Sequence, residues 1–92
     1  MLLHLRYAEL TAKLKNTGVL EIDPTSSDRE YLDGFLKVVK DSKEERVVEN
    51  MKIEVYEFRD ANNKVIRIEK AIVKDSDRGK ALKIVCKLSD PN

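Results

Sequence analysis

The residues in this sequence that could do chemistry stand apart from one another. His4 is the only histidine and Cys86 the only cysteine of 92 residues. A nucleophile needs a base within hydrogen-bond reach and a third group to orient that base, and here the pair would have to be brought together from opposite ends of the chain. The segment Asp75-Ser76-Asp77-Arg78-Gly79 presents alternate carboxylates, as a calcium loop does. It departs from that pattern twice: the glycine comes one position early, and Cys86 stands where a bidentate glutamate is needed. Its composition suits a solvated hairpin loop. Zinc spacing, a P-loop and a dinucleotide fingerprint are all missing. The expectation is a non-enzymatic protein with no catalytic residue, metal site or cofactor.

From Lys70 to Lys87 there are six basic residues against two acidic ones. Strand alternation would set Arg67, Lys83 and Lys87 on one face of a sheet with Arg59 near its edge, a surface able to lie on a phosphate backbone. That set includes no aromatic side chain for base stacking, and Glu57 and Glu69 share the surface. Nucleic-acid binding through Arg59, Arg67, Lys83 and Lys87 is therefore the alternative reading. The leading one comes from the elements that must carry these residues.

Three stretches of the C-terminal half, Met51 to Arg59, Val65 to Lys74 and Ala81 to Leu88, align side by side so that apolar residues meet in nearly every row. A three-residue loop, Ala61-Asn62-Asn63, pairs Asp60 with Lys64 and sets Phe58 opposite Ile66, Tyr56 opposite Ile68 and Met51 opposite Val73. Glu57 then faces Arg67 and Glu54 faces Lys70, both expected as surface ion pairs. A two-residue turn would slip the register and set Phe58 against Arg67. Pairing Lys74 with Lys80 across the second loop continues the ladder, with Ile72 opposite Leu82 and Ile68 opposite Cys86. One face then collects Tyr56, Phe58, Ile66, Ile68, Ile72, Leu82, Ile84, Cys86 and Leu88 as the main core.

The opposite face carries Met51, Ile53, Val55, Ala71, Val73, Ala81 and Val85 toward one end, where a solvated side would be polar throughout. Either a bulge or twist rolls these residues into one core, or the face is buried by another chain or by the first helix. The expected interface residues are Met51, Ile53, Val55, Val73 and Val85.

The N-terminal half reads as two helices. Leu3, Tyr7, Leu10 and Leu14 recur at helical spacing over Leu3 to Asn16, and Gly18 supplies the stop. This helix could pack beside the second, cover the second sheet face, or pair with its copy in another subunit. Val19 to Asp23 could be a short edge strand closed by Pro24. Ser27 and Glu30 have capping-box spacing, and Tyr31, Leu32, Phe35, Leu36, Val38 and Val39 form a broad apolar stripe. Gly34 could mark a kink or a close approach to a strand. Asp41 to Arg46 reads as a charged connector and Val47-Val48 as the start of the first long strand, although the second helix could run on through Glu49.

The fold expected over residues 1–92 is a single α+β domain: two N-terminal helices, with a short extended segment between them, packed on a C-terminal three-stranded antiparallel meander. A chain this short buries only about 60 to 65% of its unfolded surface. With 41% apolar and 38% charged residues and a net charge of +1, it reads as globular and not steered toward polyanions. The N-terminus lacks a secretory apolar region and no run has membrane-spanning length, so the expectation is a cytoplasmic protein without a membrane partner. A small protein–protein interaction module, homodimeric or a subunit of a larger assembly, is the functional reading.

Overall fold

Alanines at 8 and 12 and leucines at 10 and 14 make the first segment a strong helix former, and in the computed structural model, which describes residues 2–77 and 79–89, it is helix α1, Leu2–Thr17. Expectations placed on the side chains of Leu3, His4 and Arg78 lie outside the described part. Helix α1 ends at Gly18, whose φ of +74° is open to glycine at little cost and whose N–H donates to the Leu14 carbonyl at 2.8 Å. The chain turns directly into strand β1, Val19–Ile22, the short edge strand anticipated for this segment.

Helix α2 spans Asp28–Val39. Its start was expected at a capping box, but Ser27 makes no side-chain cap bond. Asp23 shapes the entry instead: its carboxylate accepts from the Thr25 N–H and hydroxyl, and its carbonyl accepts from the Ser26 N–H. Arg6 of α1 grips Asp28 with two bonds of 3.0 and 2.6 Å, joining the helices. The Asp28 carboxyl is held below its ordinary range chiefly by that guanidinium. The helix stops at Val39 and does not run on through Glu49. The helix runs unbroken through Gly34, which does not touch a strand, since a Cβ there would meet nothing within 4 Å. Gly34→Ala is therefore expected to stabilise the protein by about 1 kcal/mol, visible as a higher urea midpoint.

The sheet has five strands where the sequence reading placed three. Ser42–Val48, read as a connector running into a strand, is strand β2, followed by β3 (Met51–Arg59), β4 (Val65–Lys74) and β5 (Ala81–Ser89). All pairings are antiparallel, in the order β1-β5-β4-β3-β2. Val47-Val48 thus ends one strand, and a two-residue turn at Glu49-Asn50, with Glu49 at φ 54°, starts the next. Because β1 and β2 lie at opposite edges, α2 must cross the whole sheet between them.

The β3–β4 register is the expected one in every row, from Met51↔Val73 to Phe58↔Ile66. Its loop closes as anticipated: Asp60 N–H donates to the Lys64 carbonyl at 3.0 Å, the Asp60 carboxylate accepts from the N–H groups of Asn62 and Lys64, and Asn63 takes φ 63°. The β4–β5 register differs. Lys74 pairs with Ala81, and an irregularity between Val73 and Lys74 carries the ladder on to Val73↔Lys83 and Ile72↔Ile84. The loop shifts the pairing by one residue and the bulge by one more, so the faces of Ile84 to Leu88 are as expected while those at the strand's start exchange. Leu82, expected in the core, is 58% exposed, and Ala81, expected on the far face, packs on the core.

Both helices cover one face. Leu10 and Leu14 of α1, Tyr31, Leu32 and Leu36 of α2, and Leu20, Ile22, Tyr56, Ile68, Ile72, Ile84 and Cys86 of the sheet form one buried cluster. Helix α1 packs over β1 and β5 and leaves the second face bare. The molecule is 21 Å through its thinnest dimension, room for one helix layer and one sheet.

Candidate functional site: the open sheet face and the charged cluster behind it

Read across the strands, the bare face falls into four rows. The first is Val48, Met51, Val73 and Lys83; the second Arg46, Ile53, Ala71, Val85 and Glu21; the third Glu44, Val55, Glu69, Lys87 and Val19; the fourth Ser42, Glu57, Arg67 and Ser89. All five expected interface residues are therefore brought together, in a corner of apolar side chains beside a charged half. Ile53 is 7% exposed although no element lies over it, enclosed by its neighbours alone. Met51, Val55, Ala71, Val73 and Val85 are half-buried.

The expected basic surface is spread differently. Lys83 and Lys87 are exposed on the bare face and have no ion-pair partner among the described residues. Arg67 pairs with Glu57 at 3.2 Å, both substantially exposed, as anticipated. Arg59 turns to its own hairpin and donates to the Asn63 carbonyl at 3.2 Å. Arg46, Arg67, Lys83 and Lys87 share the four rows with Glu21, Glu44, Glu57 and Glu69, so the face carries equal numbers of each sign.

The opposite side of the sheet holds what sequence reasoning missed. Glu54 and Lys70, expected as a surface pair, are each 5% exposed on the helix-covered face. Alternation was the available signal: Glu54 shares a face with Tyr56, and Lys70 with Ile68 and Ile72. The Glu54 carboxylate accepts from the Tyr56 hydroxyl at 2.9 Å, and the ammonium groups of Lys43 and Lys70 lie 3.1 and 3.4 Å away. Lys70 also donates to Asp33 of α2 at 3.1 Å, while Lys52 bridges Glu45 at 2.9 Å and Glu54 at 3.7 Å. Three ammonium groups thus meet three carboxylates.

Burial is the largest influence on Glu54 and opposes its charge, but the Tyr56 and Lys43 hydrogen bonds with the Lys70 and Lys43 charges outweigh it, and the carboxyl lies below its ordinary range. Burial and then Glu54 raise Tyr56, so the phenol keeps the proton it donates. Cys86, opposite Lys70 in the ladder, is fully enclosed, and burial pushes its thiol up to about 12. A thiol in that state is a packing group, since the thiolate is the reactive form. Ellman's reagent at pH 8 is expected to modify Cys86 only at the rate of unfolding, and at once after denaturation.

The arrangement defines a two-layer α+β protein with one open sheet face and an ion cluster fixed within its core layer. Among the described residues no three ligating side chains are grouped to hold a metal, and no helix is long and apolar enough to cross a membrane. In comparisons with protein-family models, curated proteins and solved structures, nothing matches this chain.

Proposed function

We propose that the protein is a small non-enzymatic interaction module that forms a homodimer through the open sheet face, with Met51, Ile53, Val55, Val73 and Val85 at the centre. One observation carries the reading: both helices lie on the same side, so the apolar rows across β3, β4 and β5 have no cover within the subunit. Apolar side chains gathered on a sheet face that nothing in the subunit covers are a candidate interaction site. A second copy fits the charge pattern. In a two-fold contact the same patch meets itself, and a border with equal numbers of acids and bases can be self-complementary. A phosphate backbone would instead select a single sign, which leaves the nucleic-acid alternative with less support.

Five strands by four rows make a face roughly 20 Å in each direction, or about 400 Å² in projection. That is small beside the ~800 Å² per partner of a standard interface, so the dimer should be reversible. Light scattering over a concentration series tests it. The mass is expected to rise from the 10.6 kDa of one chain toward twice that value as concentration increases. A mass fixed at one chain up to millimolar concentration overturns the proposal.

A further inference from the structure

On the helix side, away from the proposed dimer face, α1, α2 and the β3–β4 hairpin end enclose a cleft of about 400 Å³. Its walls are Tyr31 and Phe35 of α2 with Phe58, Ile66, Ile68 and Leu88 of the sheet. Phe35 meets Phe58 edge-on, with ring centroids 6.4 Å apart at 86°, and stacks at 5.9 Å on Tyr31, which lies 5.0 Å from Tyr7. Four of the chain's five aromatic residues therefore form one row beside this hollow. The cleft lies where Phe58 and Ile66, near the β3–β4 hairpin, face the two α2 rings and Leu14 of α1.

The mouth is polar and carries one charge of each sign, on opposite sides. Thr11 and Lys15, one turn apart on α1, line one side and Asp60 the other. Oδ1 of the Asp60 carboxylate accepts from the N–H groups of Asn62 and Lys64, which ties that side chain to its own turn. Lys15 has no hydrogen-bond or ion-pair partner among the described residues. The hydroxyls of Thr11 and Tyr31 bond to each other at 2.5 Å, which uses one of their two protons and leaves the second available to an acceptor. An apolar hollow with few polar groups converging at its opening has the construction of a small-ligand site.

We propose that this cleft binds a small amphiphilic monocarboxylate, with an aliphatic or aryl tail against Phe35, Phe58 and Leu88. Its carboxylate takes the Lys15 ammonium and the free hydroxyl proton of the Thr11–Tyr31 pair. The volume accommodates a chain of roughly ten carbons or fewer.

Octanoate and neutral 1-octanol, both below their aggregation limits, are the probes, titrated into the full chain and followed by backbone amide shifts. Octanoate is expected to saturate with shifts centred on Phe35, Phe58 and Leu88, and to bind at least about fivefold more tightly than octanol. Lys15→Gln, a change at an exposed position, should reduce octanoate affinity to the octanol level without altering octanol binding. Absence of saturable shifts with either probe overturns the site, as do shifts centred on the open sheet face. Equal affinities for the two probes in both proteins overturn the assignment to a carboxylate. Dimerisation through the open face is measured separately, so either proposal can fail alone.

Discussion

Glu54→Leu is expected to destabilise the protein by about 3–5 kcal/mol, the range for removing one partner of a buried ion pair. The loss follows from what remains. Lys70 keeps only Asp33, whose side chain is 55% exposed, and the enclosed Tyr56 hydroxyl loses the acceptor at 2.9 Å. Lys70→Met should cost less, about 1–3 kcal/mol, because Glu54 still has Tyr56, Lys43 and Lys52. The double variant should be less destabilised than the two singles added together, with a coupling of about 1–3 kcal/mol. Urea midpoints of the four proteins measure the cycle. A cost below about 1 kcal/mol for Glu54→Leu would show that the cluster is solvated and without structural weight.

The same cluster makes stability sensitive to acid. The Glu54 carboxyl is lowered from its ordinary value of 4.5, so its contribution is complete above that value and is lost as pH falls through the lower folded value. The wild type should therefore lose stability more steeply than Glu54→Leu between about pH 5 and pH 2. Cys86 acts at the other end. Its thiol is raised by burial, so its contribution holds below the ordinary value of 9.0 and falls away as pH rises toward about 12. Tyr56, Lys43 and Lys52, each raised as well, add to the alkaline loss.

How far the sequence could be read depends on what each strand buries. The β3–β4 pairing was legible row by row because its loop admits one register that matches both apolar and charged pairs, and Asn63 supplies the left-handed turn residue. The neighbouring pairing was not. A bulge leaves no mark in the pattern when apolar residues such as Ala81 and Leu82 stand side by side, and its one-residue shift adds to the one made by the loop, which returns Ile84 to Leu88 to the expected faces although their partners have changed. Strand β2 was hidden for another reason: all seven of its residues are exposed, so no buried alternation distinguishes Ser42 to Arg46 from a connector. Charge along an exposed edge is how sheets avoid unwanted pairing, and it also conceals them from periodicity. The buried Glu54–Lys70 pair was within reach, since alternation placed both on the core side. Assigning charged residues to the surface by type alone overrode it.

The open face was legible because its apolar residues stand where solvated polar ones should be, and the structure refines which of them to change. Ile53 is enclosed by its own sheet at 7% exposure, so Ile53→Asp would bury a charge in the lone subunit and confuse unfolding with dissociation. Val73 is half-buried at the centre of the first row, between Met51 and Lys83. Val73→Asp can keep its carboxylate in water as a monomer but must desolvate it against a second copy. It is expected to weaken association by at least about a hundredfold, or roughly 3 kcal/mol, while the isolated chain loses no more than about 1 kcal/mol. Val38→Asp, on the outside of α2 at 83% exposure, is the matched control and should leave the mass unchanged. Light scattering gives the masses and urea unfolding at low protein concentration gives the monomer stabilities. If Val38→Asp dissociates the assembly and Val73→Asp does not, the contact lies on the helix layer and the open-face dimer is wrong. If Val73→Asp stays folded as a monomer at concentrations where the wild type is paired, the apolar rows are what hold the two copies together.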